Sequence, residues 1–324
     1  MLARLGASRP TGVVALDVGG SSVKSALVSP SGRVGSGSFA RTPVDSLGSR
    51  THIIQRLADA VECELRTAER LGWIPAGVGI AIPGPFDYGA GISRMRHKFG
   101  AIFGLDLRAR LRTRLRLDPA VPIRFVHDAV AFLLGEAWRG AARGYRRAMA
   151  ITLGTGVGSA VIADGRPLVT ADGTPLYSVW DQPYRGGIVE DAISRAAIIA
   201  RYHTLAGTRV VDVAEIAWRA SHKREPAARR VFAELGEELA LALRPIVVRA
   251  RPEVLVFGGA IAKSFRLFAA PLRRELTAVP GLTRVVPGKF IDLSALYGAA
   301  RAVLDTTPRR RADPRRHDTR RSWW

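Results

Sequence analysis

Residues 153–168 read LGTGVGSAVIADGRPL, with Gly154, Gly156 and Gly158 directly behind the apolar run AMAITL. Glycines after a strand suggest a dinucleotide-binding loop, but that fingerprint is G-x-G-x-x-G opening a helix. Here the spacing is G-x-G-x-G, and the chain continues as SAVIADG. Residues 159–162 predict a second short strand, and Asp164-Gly165 predicts a hairpin turn. The glycines therefore join strand to strand, and the Rossmann reading fails.

The same plan stands near the start of the chain. Residues 13–40, VVALDVGGSSVKSALVSPSGRVGSGSFA, read as strand, glycine turn, strand, Ser-Pro-Ser-Gly turn and third strand. This is the main internal repeat, and residues 1–12 read as a loose lead-in. Between the two copies, residues 46–73 carry Ile53, Ile54, Leu57, Val61 and Leu65 at helical spacing. AGVGIAIPGPFD reads as a buried strand entering a Pro-Gly turn. LDLRARLRTRLRLDP predicts a helix with Asp106 as N-cap and Leu107, Leu111 and Leu115 as its buried stripe. Its Arg108, Arg112 and Arg116 share a face that reads as solvated. VPIRFVHDAVAFLLGEAWRGA is a strand running into a helix, with His127 and Asp128 at the junction. Two helical regions, the strand EVLVFGGAIAKS and a last helix at about 293–304 complete the pattern.

At 324 residues the chain is long enough for two domains, and its 47% hydrophobic content suits a globular fold. No stretch approaches a membrane span, and the first residues lack the apolar core of a secretory signal, so the cytoplasm is the default location. The single cysteine, Cys63, excludes an intramolecular disulfide and any cysteine-built zinc site. The formal charge of +21 is unusual; the final RRRADPRRHDTRRSWW holds seven arginines and two aspartates, and the tail after Asp305, residues 306–324, is expected to be disordered. Such a field attracts polyanions, although arginine scattered over a solvated surface is the blander reading.

Two glycine hairpins, one per half, predict two phosphate-facing loops on either side of a cleft, because glycine lets backbone N–H groups approach phosphate oxygens. In LDVGGSSVK, Asp17 ends the strand, Gly19 and Gly20 form the turn, and Ser21 and Ser22 follow. A carboxylate there suits Mg²⁺ held through water. Lys24 either reaches phosphate or falls on the outer face of the next strand. GGAIAKS is not a Walker A motif, since Ala262 precedes Lys263. Asp128 is read either as a helix N-cap or as a carboxylate kept ionised by the helix N-terminus. His127 either bonds a substrate hydroxyl or is a satisfied interior histidine.

In their order, LDVGGSSVKSALV, GVGIAIPGPFD, RFVHDAVAFLLGEAW, AITLGTGVGSAVIADGRPL, GGIVEDAISRAAI, VLVFGGAIAKS and LSALYGAARAVL resemble the ROK (repressor, open reading frame, kinase) family of the sugar-kinase and actin-like ATPase superfamily. The resemblance implies an α/β fold of two ribonuclease H-like domains, residues 1–127 and 128–305, with a ligand cleft between them and the last helix packing back on the first domain. It implies that Gly154, Thr155, Gly156 and Gly158 form the second phosphate loop and that Gly258 and Gly259 lie beside adenosine. Asp128 matches the family's catalytic aspartate, and Glu190 matches a glutamate that contacts sugar hydroxyls. Gly84, His127 and Lys98 fall with the acceptor. His127 replaces the usual Asn, and the cations His97 and Lys98 stand where a neutral amide is common, which suits an acidic or phosphorylated ligand. The family's zinc-binding His and Cys residues have no counterpart in LVTADGTPLYSVWDQPYRGGIVED, so no zinc site is expected. Trp180, Asp181 and Tyr184 either rebuild the pocket there or pack, and packing is the commoner use of aromatics.

The resulting expectation is an ATP- and Mg²⁺-dependent sugar kinase acting on a hexose or hexose derivative, with Asp128 as general base. The alternatives are a polyphosphate-dependent glucokinase and a non-catalytic sugar-binding or regulatory protein. The family's repressors add an N-terminal helix-turn-helix domain, for which the lead-in is too short. The oligomer stays open, dimers being common among relatives.

Overall fold

The computed structural model describes residues 9–210 and 212–305, so the arginine-rich tail lies outside the described residues. The first lobe comprises β1 (Thr11–Val18), β2 (Ser22–Val28), β3 (Ala40–Pro43), α1 (Arg50–Leu71), β4 (Ile74–Ile82), the small hairpin β5 (Phe86–Asp87) and β6 (Ile92–Ser93), α2 (Leu107–Leu115) and β7 (Ile123–His127), and leads into α3 (Asp128–Arg139). The second contains β8 (Arg147–Leu153), β9 (Val157–Ala163), β10 (Arg166–Pro167), the hairpin β11 (Pro183–Tyr184) and β12 (Gly187–Ile188), and α4 (Val189–Ile193). It continues through α5 (Arg195–Ala206), α6 (Val213–Trp218), α7 (Pro226–Ala250), β13 (Val254–Gly258), α8 (Phe265–Leu276), β14 (Arg284–Pro287) and α9 (Ser294–Leu304).

The sequence repeat is a repeat of topology. One sheet has the order β3-β2-β1-β4-β7, the other β10-β9-β8-β13-β14. In each, an antiparallel glycine hairpin is followed by two strands added in parallel. The first strand begins at Thr11, two residues earlier than the hydrophobic run implies, and pairs with Ile74. Gly12 makes this extension feasible, because a Cβ there would lie 2.6 Å from the Trp73 ring.

Local signals hold where the physics is local. Asp106 caps α2 by accepting from Ala109 N, and Leu107 and Leu111 are buried beneath it. The solvated arginine face needs correction, since tertiary structure recruits two of its members. Arg108 donates to the carbonyls of Gly89, Ala90 and Ile123, and Arg112 to those of Asp118 and Val121. The stretch VEDAISRAAIIARYHTL, residues 189–205, forms two helices, α4 and α5, parted at Ser194, whose hydroxyl accepts from Ala197 N and so restarts the helix.

Two helices exchange lobes. α3, entered from β7, packs against β8 and β9, while α9, the last helix, packs against β1, β4 and β7. They cross at very close range, forming the centre of a core cluster that draws on both sheets. The buried Glu136 carboxylate of α3 pins this junction, accepting from Ala141 N at 2.6 Å, Lys289 N at 3.0 Å, Phe290 N at 3.1 Å and the Ser294 hydroxyl. With four donors, its burial is compensated.

Glu64 of α1 is also fully buried, but only Oε1 is satisfied, by the Ser25 hydroxyl at 2.8 Å. Burial pushes its carboxyl from the ordinary 4.5 up to about 7, against the pull of Ser25 and Arg70. Because the folded value is the higher one, this group favours folding in its protonated form, and that contribution is lost as pH rises through about 7. We expect Glu64→Gln to be more stable than the parent at pH 8 by about 3 kcal/mol, with the difference vanishing as pH falls below about 4. Urea unfolding at the two pH values checks this; equal differences at both would remove Glu64 as the cause.

Candidate active site

The carboxyl ends of β1, β7, β8 and β13 carry Asp17, His127 with Asp128, the second glycine turn, and Gly258-Gly259. This is the end of an open parallel arrangement where ligands bind. In the first turn Gly19 N bonds Ser22 O at 2.9 Å, and the carbonyls of Gly20 and Ser21 accept from Ser46 N and Val44 N, each at 3.1 Å. The amides of Gly20 and Ser21 have no partner among the described residues. In the second turn Gly154 N bonds Gly156 O at 3.0 Å and Val157 N bonds Glu190 Oε2 at 2.7 Å, leaving the amides of Thr155 and Gly156 without a partner among the described residues. Each lobe thus presents two consecutive backbone amides without a partner among the described residues, donors available to a phosphate oxygen.

Gly158 lies within β9, where a Cβ would strike the Thr152 hydroxyl and come 3.2 Å from Ala129, so it permits packing against the start of α3. Gly258 lies flat against the Phe132 ring, and Gly259, in a left-handed conformation, approaches the Leu153 carbonyl at the root of the second turn.

Asp17 is half-buried, and Lys24, its neighbour across the hairpin, lies 3.3 Å from Oδ2. Burial pushes the Asp17 carboxyl up, Lys24 pulls it down, and the charge of Asp128 adds to the rise. Lys24 does not lie on an outer face. It is also 3.6 Å from Asp292, which holds Lys263 at 2.7 Å. This chain of alternating charges joins β1 and β2 to the segments before α9 and α8. Asp292 is 275 residues from Asp17, and nothing local in the sequence marks their proximity.

Asp128 is the first residue of α3, and the cap is His127, so the N-cap reading of Asp128 does not apply. Ala129 N donates to Asp128 Oδ1 at 2.7 Å and to His127 Nδ1 at 3.2 Å. Asp128 Oδ1 is 3.1 Å from the same ring nitrogen, and Oδ2 has no partner among the described residues. Gly84 borders this group, its α-carbon facing the Tyr88 hydroxyl and the His127 ring. Tyr88 was not singled out from the sequence. Its ring stands edge-on to His127 at 5.9 Å, its hydroxyl bonds Ile82 O at 3.2 Å, and its backbone N–H crosses to Asp172 O in the second lobe at 2.8 Å. Burial, then the charges of Asp128 and Asp172, push the phenol well above its usual range.

Lys98 is exposed, and the following residue, Phe99, donates its N–H to Ser46 O at 2.7 Å, beside the first glycine turn. Glu190 is half-buried and faces the second glycine turn. The segment before it is anchored by the β11–β12 hairpin, where Tyr184 OH and Arg185, the latter at 3.1 Å, both engage Glu238 of α7. Tyr184 therefore packs, but Trp180 is 47% exposed, contrary to the packing expectation. Among the described residues no cluster of three or more metal-ligating side chains occurs. No helix there is long and apolar enough to cross a membrane.

The model of the ROK family matches residues 13–175. The chain is 27% identical to a glucokinase of Thermotoga maritima, over 90% of this chain and 97% of that protein. It is 26% identical to an N-acetyl-D-glucosamine kinase of Pectobacterium carotovorum, over 78% and 88% of the two chains. A ROK family glucokinase from Streptomyces griseus, solved with glucose and AMPPNP, shares the fold with a TM-score of 0.73 at 20% identity, covering 89% of this chain and 98% of that one.

Proposed function

Since this chain belongs to the ROK family, we propose that it is a sugar kinase transferring the γ-phosphoryl group of ATP to a hydroxyl of a hexose or hexose derivative. The observation that carries this reading is Asp128, a carboxylate with one unpartnered oxygen, at a cleft flanked by two pairs of unpartnered amides. In the reaction the acceptor oxygen attacks the γ-phosphorus, the bond from that phosphorus to the β–γ bridging oxygen breaks, and ADP leaves. The hydroxyl proton passes to Asp128. A general base at this position contributes roughly 10²–10⁴-fold. The Gly20, Ser21, Thr155 and Gly156 amides hold the phosphates, and Gly258 and Gly259 border the adenosine. Gly84, His127, Glu190 and Lys98 surround the acceptor.

Mg²⁺ fits this donor set. Asp17 is a half-buried carboxylate at the end of β1, a hard oxygen donor, and Mg²⁺ commonly takes one or two protein carboxylates together with phosphates and water. Asp17 would hold it, through water. When bound, it neutralises charge developing on the transferred phosphate.

The reading places the domain boundary at 127/128 and the enzyme in the cytoplasm. The net charge of +21 supports contact with polyanions, and the family's habit supports a homodimer.

Labelled ATP and Mg²⁺, offered with glucose, N-acetylglucosamine, mannose and glucuronate, test the proposal. Label appearing on one of these sugars supports it. Silence with ATP across the panel, with label transferred only from polyphosphate, would move the donor assignment; silence with both would leave a sugar-binding protein.

A further inference from the structure

Glu190 makes a contact that acceptor binding does not require. Its Oε2 accepts the Val157 N–H at 2.7 Å, inside the second glycine turn. A Cβ on Gly156 would lie 2.4 Å from the same oxygen, so the carboxylate fills the space that glycine leaves open. The residues after it grip the turn at a second point, where Arg195 N donates to Gly154 O at 3.1 Å. Ser194 N in turn bonds the Glu190 carbonyl at 3.1 Å, and Glu190 N bonds Trp180 O at 3.0 Å. A turn of three glycines in five residues has many backbone conformations to lose, and two phosphate-facing amides can act together only if that freedom is already removed. The Glu190 Oε1 atom has no partner among the described residues and stays free for the acceptor.

We propose that Glu190 is a positioning residue for the donor: by holding Val157 N–H it sets the second glycine turn in the shape that aims the Thr155 and Gly156 amides at nucleotide phosphate. The inference rests on the kinase reading and assigns Glu190 a task independent of sugar.

The test is nucleotide affinity without any sugar, measured by calorimetry with Mg²⁺ and a non-hydrolysable ATP analogue, beside amide exchange of residues 153–158 in the ligand-free protein. We expect Glu190→Ala to weaken nucleotide binding by roughly tenfold, as loss of a hydrogen bond to a charged group does, and to speed exchange of the turn. Glu190→Gln, whose amide oxygen still accepts from Val157, should rescue both. Gly156→Ala should reproduce the loss with Glu190 intact, so the inference stays testable even if Glu190→Ala does not fold. Nucleotide affinity and turn exchange unchanged in Glu190→Ala or in Gly156→Ala, beside a parent that binds nucleotide, would overturn this inference alone. A parent that binds no nucleotide would overturn the kinase reading with it.

Discussion

Asp128→Asn should fold normally, bind nucleotide like the parent, and transfer phosphoryl groups about 10³-fold more slowly, within the range expected for loss of a general base. The substitution is close to isosteric. An Asn carbonyl can still accept from Ala129 N, as Asp128 Oδ1 does at 2.7 Å, and His127 remains the cap of α3. What disappears is the negative charge and the unpartnered oxygen that takes the acceptor's proton. The loss should fall on kcat, with the sugar KM changed little, because the interaction removed strengthens only as the hydroxyl gives up its proton. A second consequence follows from electrostatics: the Asp17 carboxyl should titrate lower, since Asp128 is one of the charges pushing it up. Steady-state kinetics beside thermal unfolding and nucleotide calorimetry check this. Activity within tenfold of the parent, with the fold intact, would remove Asp128 as the base.

Gly298→Ala should be the most damaging single-methyl change in the core. A Cβ on Gly298 would lie 1.8 Å from the Ala131 carbonyl oxygen and 2.4 Å from its carbon, both backbone atoms in the first turn of α3. Neither can rotate away, so α9 and α3 must separate along their crossing. A Cβ on Gly135 would lie 1.9 Å from Ser294 O in the same crossing, and one on Gly79 of β4 would lie 2.1 Å from Ala299 O beneath it, so the helix has no room to retreat toward the sheet. Overpacking typically costs about 1–3 kcal/mol, and a clash with backbone that cannot rotate away puts this case at about 3 kcal/mol or more. Chemical denaturation should show that loss. Activity should fall too, because α3 carries Asp128 at its first turn. Gly100→Ala, where a Cβ meets nothing within 4 Å, is the matched control and should be neutral in stability. A Gly298→Ala protein as stable as that control would show that the two helices are not as tightly apposed as they stand here.

The sequence by itself determined the features whose causes are local. Glycine spacing and the Asp164-Gly165 turn dictated strand–turn–strand where a dinucleotide fold demands strand–turn–helix. Asp106 before a leucine stripe dictated a capped helix, and the repeat of one pattern in both halves anticipated a glycine hairpin in each. The ordered set of motifs anticipated the family. Tertiary structure alone decided which groups meet. Glu190 reaches Val157 across 33 positions, Tyr88 crosses to Asp172, and Lys24 is shared between Asp17 and Asp292. None of these leaves a periodic or local trace, because each depends on how β-sheets and helices are stacked. The same stacking turned Arg108 and Arg112 from solvated charges into clamps on loop carbonyls, where partly sequestered C=O groups need a donor. It also let the helix that follows one sheet cover the other. That exchange depends on glycines at the crossing having no side chain, and one-dimensional patterns of apolar residues do not record how closely two backbones approach.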